Sequence, residues 1–240
     1  MRKGQKFRRA TRQKALEMFA KSLATKLAIL LHSKRAPAKT SRSSSVAEMS
    51  LFGADGLRKY LTPAERVRFQ GAIQNLESDR RLFCAVLLWS GGRVSEVLSL
   101  TPSKIDLDSG AVVFLTLKRR RQIFRQVPLP IELLNELAER YDLENEQKHP
   151  VRRQSRLWPW SRTTSWRIIK SVMKAASVNS LAASPKGLRH TFGTSAFLAQ
   201  VPPHLVQRWL GHASLRTTSI YGEVIGAEER SIANRIWQGK

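Results

Sequence analysis

Acidic residues are scarce in this chain: 18 Asp and Glu stand against 42 Lys and Arg in 240 residues, a net charge of +24. That excess is far beyond what solubility requires, and its field draws polyanions, nucleic acid first among them. Charge alone leaves open a ribosomal protein or one lying on a membrane surface. Cysteine is reduced to Cys84. A single thiol excludes an intrachain disulfide and a cysteine-rich zinc site, and inside the apolar run 82–88 it reads as a small core residue. No apolar run approaches the roughly 20 residues that cross a bilayer. The basic N-terminus lacks a signal peptide's apolar region, since Lys21 and Lys26 interrupt its one apolar stretch. Nor is there a glycine-rich phosphate loop or a credible cluster of metal ligands. The expectation is a cytoplasmic protein, at the nucleoid in a bacterium, that works without metal or cofactor and has no membrane partner.

The positive charge is unevenly spread. Residues 1–45 carry 13 Lys and Arg, Arg8, Arg9 and Arg12 among them, against the one acid Glu17. Within this arm Leu16, Phe19, Leu23, Leu27, Leu30 and Leu31 recur at helical spacing, which predicts an amphipathic basic helix over 11–31. Residues 33–45 have linker composition. The division expected is a basic arm over 1–57 and a compact domain over 58–240, closed by a tail helix within 227–240.

From residue 58 the pattern is mainly α with a small antiparallel β-sheet. Thr62-Pro-Ala-Glu65 is a capping box with proline at the first helical position, starting a helix to about Leu76. Ser78 or Asp79 opens a central apolar helix to Trp89, which Gly91-Gly92 can end, and a short helix resumes over 93–100. Residues 111–117 and 122–128 read as a hairpin turning at Lys118-Arg-Arg-Arg121. A helix is expected over 131–141, polar loop over 144–154 and a helix over 165–176, with further helices to the end. With 42% apolar residues the chain has material for a core.

Chemistry gathers in four short stretches: Gly91-Gly-Arg93-Val-Ser-Glu96, Lys186-Gly-Leu-Arg189-His190, Leu210-Gly-His212, and Tyr221. Two guanidiniums suit a phosphate, because each presents a planar fork of donors that pairs with two oxygens. A tyrosine beside such a clamp can attack phosphorus and hold it as an ester. Singly, each arginine also reads as a solvated surface residue, His212 as a helix cap, and Tyr221 as a core or surface residue. Together they predict an enzyme that cuts and rejoins DNA.

In order and interval these motifs, with Leu61-Thr-Pro-Ala-Glu65, Lys118, Val127-Pro-Leu-Pro130 and Thr218-Ser-Ile-Tyr221, resemble the tyrosine recombinases, or phage-type integrases, over about three quarters of the chain. The resemblance implies that family's catalytic-domain fold. It also implies that Arg93 and Arg189 hold the scissile phosphate, that His212 donates to it, and that Tyr221 is the nucleophile. Lys118 corresponds to the hairpin lysine that protonates the departing 5′ oxygen. Arg119, Arg120 and Arg121 cannot readily donate a proton and would grip phosphates, a role the whole run could share. Glu96, one turn after Arg93, would orient it or a neighbouring histidine, unless it is an ordinary surface carboxylate. His190 reads as structural, donating to backbone or packing.

Two departures stand out. Where the family usually has a histidine that accepts the tyrosine's proton, this chain has Lys186. Either burial beside Arg189 frees its lone pair, or it serves mainly as a positive charge. The region before the domain is also short beside the helical domain that relatives use to clamp DNA. The helix over 11–31 would be a reduced clamp making phosphate contacts, with site choice resting on an accessory DNA-binding or directionality protein. The implied mechanism leaves a 3′-phosphotyrosyl link and a free 5′-hydroxyl, so neither ATP nor a metal is needed. Exchange between two duplexes needs four active sites, hence a homotetramer on double-stranded DNA. The tail over 227–237, with Ile232, Ile236 and Trp237 on one stripe, would dock on the next subunit or pack on its own domain. Two other classes remain: a type IB topoisomerase or telomere resolvase with the same chemistry, and a non-catalytic DNA-binding descendant.

Overall fold

A hydroxyl and a proline set the start of the first described helix. Thr62 caps α1 (Pro63–Gln74): its hydroxyl accepts the Glu65 amide at 3.2 Å, and the Glu65 carboxylate accepts the Thr62 amide at 2.8 Å. Such reciprocal capping contributes about 1 kcal/mol. In this computed structural model the residues described are 50–118, 121–224 and 226–237, and they fall in the unit Val46–Lys240. The helix expected over 11–31, the linker over 33–45, and Arg8, Arg9, Arg12, Arg119 and Arg120 lie outside the described residues.

After α1 come α2 (Ser78–Ser90), a four-residue α3 (Val94–Val97), and a sheet of β1 (Ile105–Asp106), β2 (Ala111–Lys118) and β3 (Arg121–Pro128). Then follow α4 (Ile131–Tyr141), α5 (Leu143–Lys148), α6 (Arg162–Ala175), α7 (Pro185–Leu198), α8 (Pro203–Leu210), α9 (Leu215–Ser219), a 3-10 turn at Ile220–Glu223, and α10 (Ala227–Trp237). The fold is mainly helical with one antiparallel sheet in the order β1-β2-β3. None of the described helices is long and apolar enough to cross a membrane.

Helix α2 lies at the centre, packed against α1, α4 and α7. It buries Leu82, Phe83, Cys84, Val86, Leu87 and Leu88, because its apolar residues cover most of its circumference. Burial pushes the Cys84 thiol up to about 12, so it acts as packing and not as a nucleophile. Gly91 ends α2 at φ 60, a left-handed conformation costly for any residue with a Cβ.

The hairpin expected over 111–117 and 122–128 is present, one residue longer on each strand, with Phe114 opposite Arg125 and Lys118 opposite Arg121. The third strand, β1, has only two residues, too few for any alternation to register. The expected loop over 144–154 is corrected: it holds α5 and a 3-10 turn at Arg152–Gln154. Asp142 closes α4, at φ 46, and the next residue, Leu143, is fully buried and anchors a new helical turn. The short helix expected over 93–100 contracts to Val94–Val97, with Leu98 and Leu100 turning into the core. Helix α6 starts earlier than 165, because the Ser161 hydroxyl caps it by accepting the Thr164 amide at 3.0 Å. Ahead of residue 58, Leu51 is buried in a cluster with Ala196, Val206, Leu210 and Tyr221, so 50–57 contribute to this unit.

Candidate active site

Ser184 and Pro185 start α7, the serine hydroxyl accepting the Gly187 amide at 3.0 Å. Counting from that start, Lys186, His190 and Gly193 stand at i, i+4 and i+7, on one face of the helix, with Arg189 alongside. The face meets the 3-10 turn that carries Tyr221. A Cβ at Gly193 would come within 2.5 Å of the Tyr221 ring, so only glycine lets the ring lie this close to α7.

Arg189 reaches from α7 to two helix ends. Its Nη1 donates to the Gly91 carbonyl at 2.7 Å, and its Nη2 donates to the Leu210 carbonyl. Those carbonyls close α2 and α8, where helix dipoles are negative and backbone acceptors lack intrahelical partners. A guanidinium has five N–H donors, so a fork held this way keeps donors for an anion. Burial, then Arg93, pulls Arg189 down to about 10, still cationic at neutral pH.

Arg93 precedes α3, and Glu96 holds it at two points. The Glu96 carboxylate accepts the Arg93 amide at 2.8 Å and its Nη1 at 2.8 Å. The same carboxylate takes Arg125 bidentately, Nη1 at 3.0 Å and Nη2 at 2.6 Å, and accepts Thr116 Oγ1 at 3.3 Å. Arg125 also donates through Nε to the Trp209 carbonyl at 2.8 Å and stacks over the Phe114 ring. Glu96 is therefore a buried carboxylate, not a surface one, and it orients Arg93.

Arg125 was not among the residues that the sequence singled out. It ties β3 to both α3 and the end of α8, the segments that carry Arg93 and lead into His212. One signal was available: Arg125 is in phase with Val127, buried in the same strand, and with Leu129 just beyond its end. A charged residue in an inward register requires a partner.

The pair has a consequence for acid stability. Burial alone would raise the Glu96 carboxyl, but hydrogen bonds and charge from Arg125, then Arg93, outweigh it and hold it at about 2. The folded value is below the ordinary glutamate value of about 4.3, so the stabilisation is complete above pH ~5 and lost as pH falls towards 2. Its size is on the order of 3 kcal/mol. In urea unfolding between pH 6 and 3, Glu96→Gln should show a flatter loss of stability with acid than the parent chain. Parallel slopes would show that the carboxylate is not coupled to folding.

His212 follows α8, with Nδ1 3.0 Å from Thr218 Oγ1 and its ring stacked on Tyr221, centroids 6.0 Å apart at 13°. Burial, then Arg189 and Arg93, lowers His212 to about 3, so the ring is neutral. With Thr218 at Nδ1, Nε2 is the atom left to serve a ligand. Tyr221 is 1% exposed. Burial raises its phenol, while Arg189 and Arg93 pull the other way. His190 was expected to donate to backbone or to pack. It is buried, but its Nδ1 lies 3.4 Å from the Tyr221 hydroxyl and its Nε2 has no partner among the described residues.

Arg93, Lys186, Arg189, His190, His212 and Tyr221 line one cavity of about 1050 Å³. Lys186 is exposed on the first turn of α7. Lys118 ends β2 and Arg121 begins β3, opposite each other. No group of three or more His, Cys, Asp or Glu among the described residues could hold a metal ion. A cavity lined by the guanidiniums of Arg93 and Arg189, the imidazoles of His190 and His212 and the Tyr221 phenol can bind a phosphodiester and offer it a nucleophile.

The sequence profile of the phage integrase family matches residues 59–226. Tyrosine recombinase XerA of Thermococcus kodakarensis is 30% identical over 174 residues, an alignment covering 70% of this chain and 59% of that protein. Among solved structures, XerH site-specific recombinase bound to palindromic difH substrate, in a post-cleavage complex, has TM-score 0.61 at 24% identity, over 76% of this chain and 53% of that one. The catalytic domain of bacteriophage HP1 integrase has TM-score 0.53 at 20% identity, over 73% of this chain and 93% of that domain. At these identities both likenesses concern the fold. The chain spans about three fifths of the length of the relatives it matches.

Proposed function

The chain belongs to the phage integrase family, and from that premise we propose that it is a site-specific recombinase that cuts and rejoins double-stranded DNA through a 3′-phosphotyrosyl link. One observation carries the reading: Tyr221 lines the same cavity as Arg93, Arg189 and His212. Arg93 and Arg189 clamp the scissile phosphate and stabilise charge on its equatorial oxygens, and His212 donates through Nε2. Tyr221 attacks phosphorus, and the 5′ oxygen departs with a proton from Lys118. A 5′-hydroxyl from the partner strand then attacks the tyrosyl ester, so bond energy is conserved. Lys186, Arg119, Arg120 and Arg121 supply positive charge to the DNA backbone.

Residues 58–240 act as the catalytic domain, and Arg8, Arg9 and Arg12 in the basic arm contact phosphates. Strand exchange between two duplexes calls for four such sites, hence a homotetramer. In α10, Ile236 is 79% exposed and Trp237 70%, apolar surface suited to the next subunit. Site choice draws on an accessory DNA-binding protein, and the protein works in the cytoplasm at the nucleoid.

The test uses duplexes selected by this protein from a randomised pool, nicked beside the cleavage point so that the cut fragment diffuses away. The expected result is an adduct that survives boiling in SDS, with the nucleotide on the peptide containing Tyr221. No adduct on any selected duplex, or one on another residue, overturns the proposal. Exchange of label between two duplexes then marks a recombinase, whereas relaxation of supercoils without exchange marks a topoisomerase-like enzyme.

A further inference from the structure

A phenol that attacks phosphorus must give up its proton as the new bond forms. Lys186 is exposed, whereas the receiving group needs a lone pair held beside the hydroxyl. One turn further along the same face of α7, His190 is buried with Nδ1 3.4 Å from the Tyr221 hydroxyl. That is the hydroxyl's one hydrogen bond recorded among the described residues, and such contacts tighten when substrate binds. Nothing among the described residues pairs with Nε2, so none of them forces the proton onto Nδ1.

We propose that His190 is the proton acceptor for Tyr221, taking the proton on Nδ1 during cleavage and returning it on rejoining. This rests on Tyr221 being the nucleophile. In the forward step the Tyr221 O–H bond breaks and its proton passes to Nδ1. The phenolic oxygen bonds to phosphorus, the bond from phosphorus to the 5′ oxygen breaks, and that oxygen leaves with a proton from Lys118. Attack by a 5′-hydroxyl reverses each transfer.

The surroundings suit such a role. Burial, then Lys186, Arg189 and Lys59, holds His190 down at about 4, so at neutral pH the ring is uncharged. The same cations oppose an imidazolium. A phosphodiester entering the cavity brings negative charge that offsets them and strengthens the base. The tyrosine is thereby activated when DNA is bound and left protonated when it is not.

His190→Asn puts an amide where the ring's Nδ1 lies. It can accept the hydroxyl's hydrogen bond but cannot take the proton. Adduct formation on the nicked duplex should slow by about 100-fold, with DNA affinity unchanged. Replacing the bridging 5′ oxygen by sulfur gives a leaving group that needs no acid. That substrate should restore Lys118→Ala and leave His190→Asn slow. Cleavage by His190→Asn within about threefold of the parent, well short of a general-base effect, overturns the proposal, as does its recovery on the sulfur substrate. In the unsubstituted protein, ¹⁵N shifts of the His190 ring should put the proton on Nε2, and a proton fixed on Nδ1 overturns the proposal even if the variant fails to fold. Absence of any adduct from the unsubstituted protein is a different failure, that of the tyrosine itself.

Discussion

Tyr221→Phe is expected to abolish covalent attachment to nicked DNA while leaving the fold and DNA affinity nearly unchanged. The ring is part of the core: it packs with Leu51, Ala196, Val206 and Leu210, stacks on His212, and lies 6.2 Å from the Phe197 ring at 48°. Phenylalanine keeps all of that area. What it removes is one hydroxyl, whose 3.4 Å contact with His190 Nδ1 is long for a hydrogen bond. The stability change should stay within about 1 kcal/mol. Cleavage should fall by at least about 10⁴-fold, since no other group supplies the oxygen that bonds to phosphorus. Tyr221→Ala would be a poorer experiment, because the cavity it leaves costs about 3–5 kcal/mol and confuses unfolding with lost chemistry. SDS-stable adducts and urea midpoints measured on the same preparations decide it. Adducts persisting at the parent level would remove Tyr221 from the mechanism.

Features set by short-range chemistry were legible in the sequence. Thr62-Pro-Ala-Glu65 marks the start of α1 through bonds among neighbours, and Gly91 marks the end of α2 through its own backbone. Arg93, Arg189, His212 and Tyr221 were legible as a set because their spacing on successive elements brings them to one cavity. Features that depend on distant partners were not. Helix α5 buries one side chain, Leu143, in an otherwise polar segment, and that carries no periodicity. Arg125 reads as one more cation in a basic hairpin until the fold places Glu96 against it, 29 residues away in sequence. His190 looked inert beside Arg189, because its contact with Tyr221 spans 31 residues and depends on how the 3-10 turn docks against α7. Glu96 gains its meaning in the same way, from a hairpin arginine it meets only when the chain has folded.

Arg189→Lys should produce the other large effect, and on two properties at once. Lysine keeps a positive charge but replaces a planar fork by a single ammonium. The guanidinium spans the carbonyls of Gly91 and Leu210 while presenting further donors to the cavity, and one ammonium cannot reach both carbonyls and a phosphate. At least one helix-end carbonyl then loses its partner, which lowers stability by about 1–3 kcal/mol. Cleavage should fall by about 10²- to 10³-fold, the usual loss when one preorganised donor to a developing charge is removed. The two effects separate by temperature. At a temperature low enough for the variant to be fully folded, bracing of α2 and α8 is restored by the rest of the core, but the fork of donors proposed to hold the phosphate is not. The cleavage rate should therefore stay low there. A rate that climbs back to the parent value as the folded fraction approaches unity would leave Arg189 a brace between two helix ends, with the phosphate held by Arg93 and His212 alone.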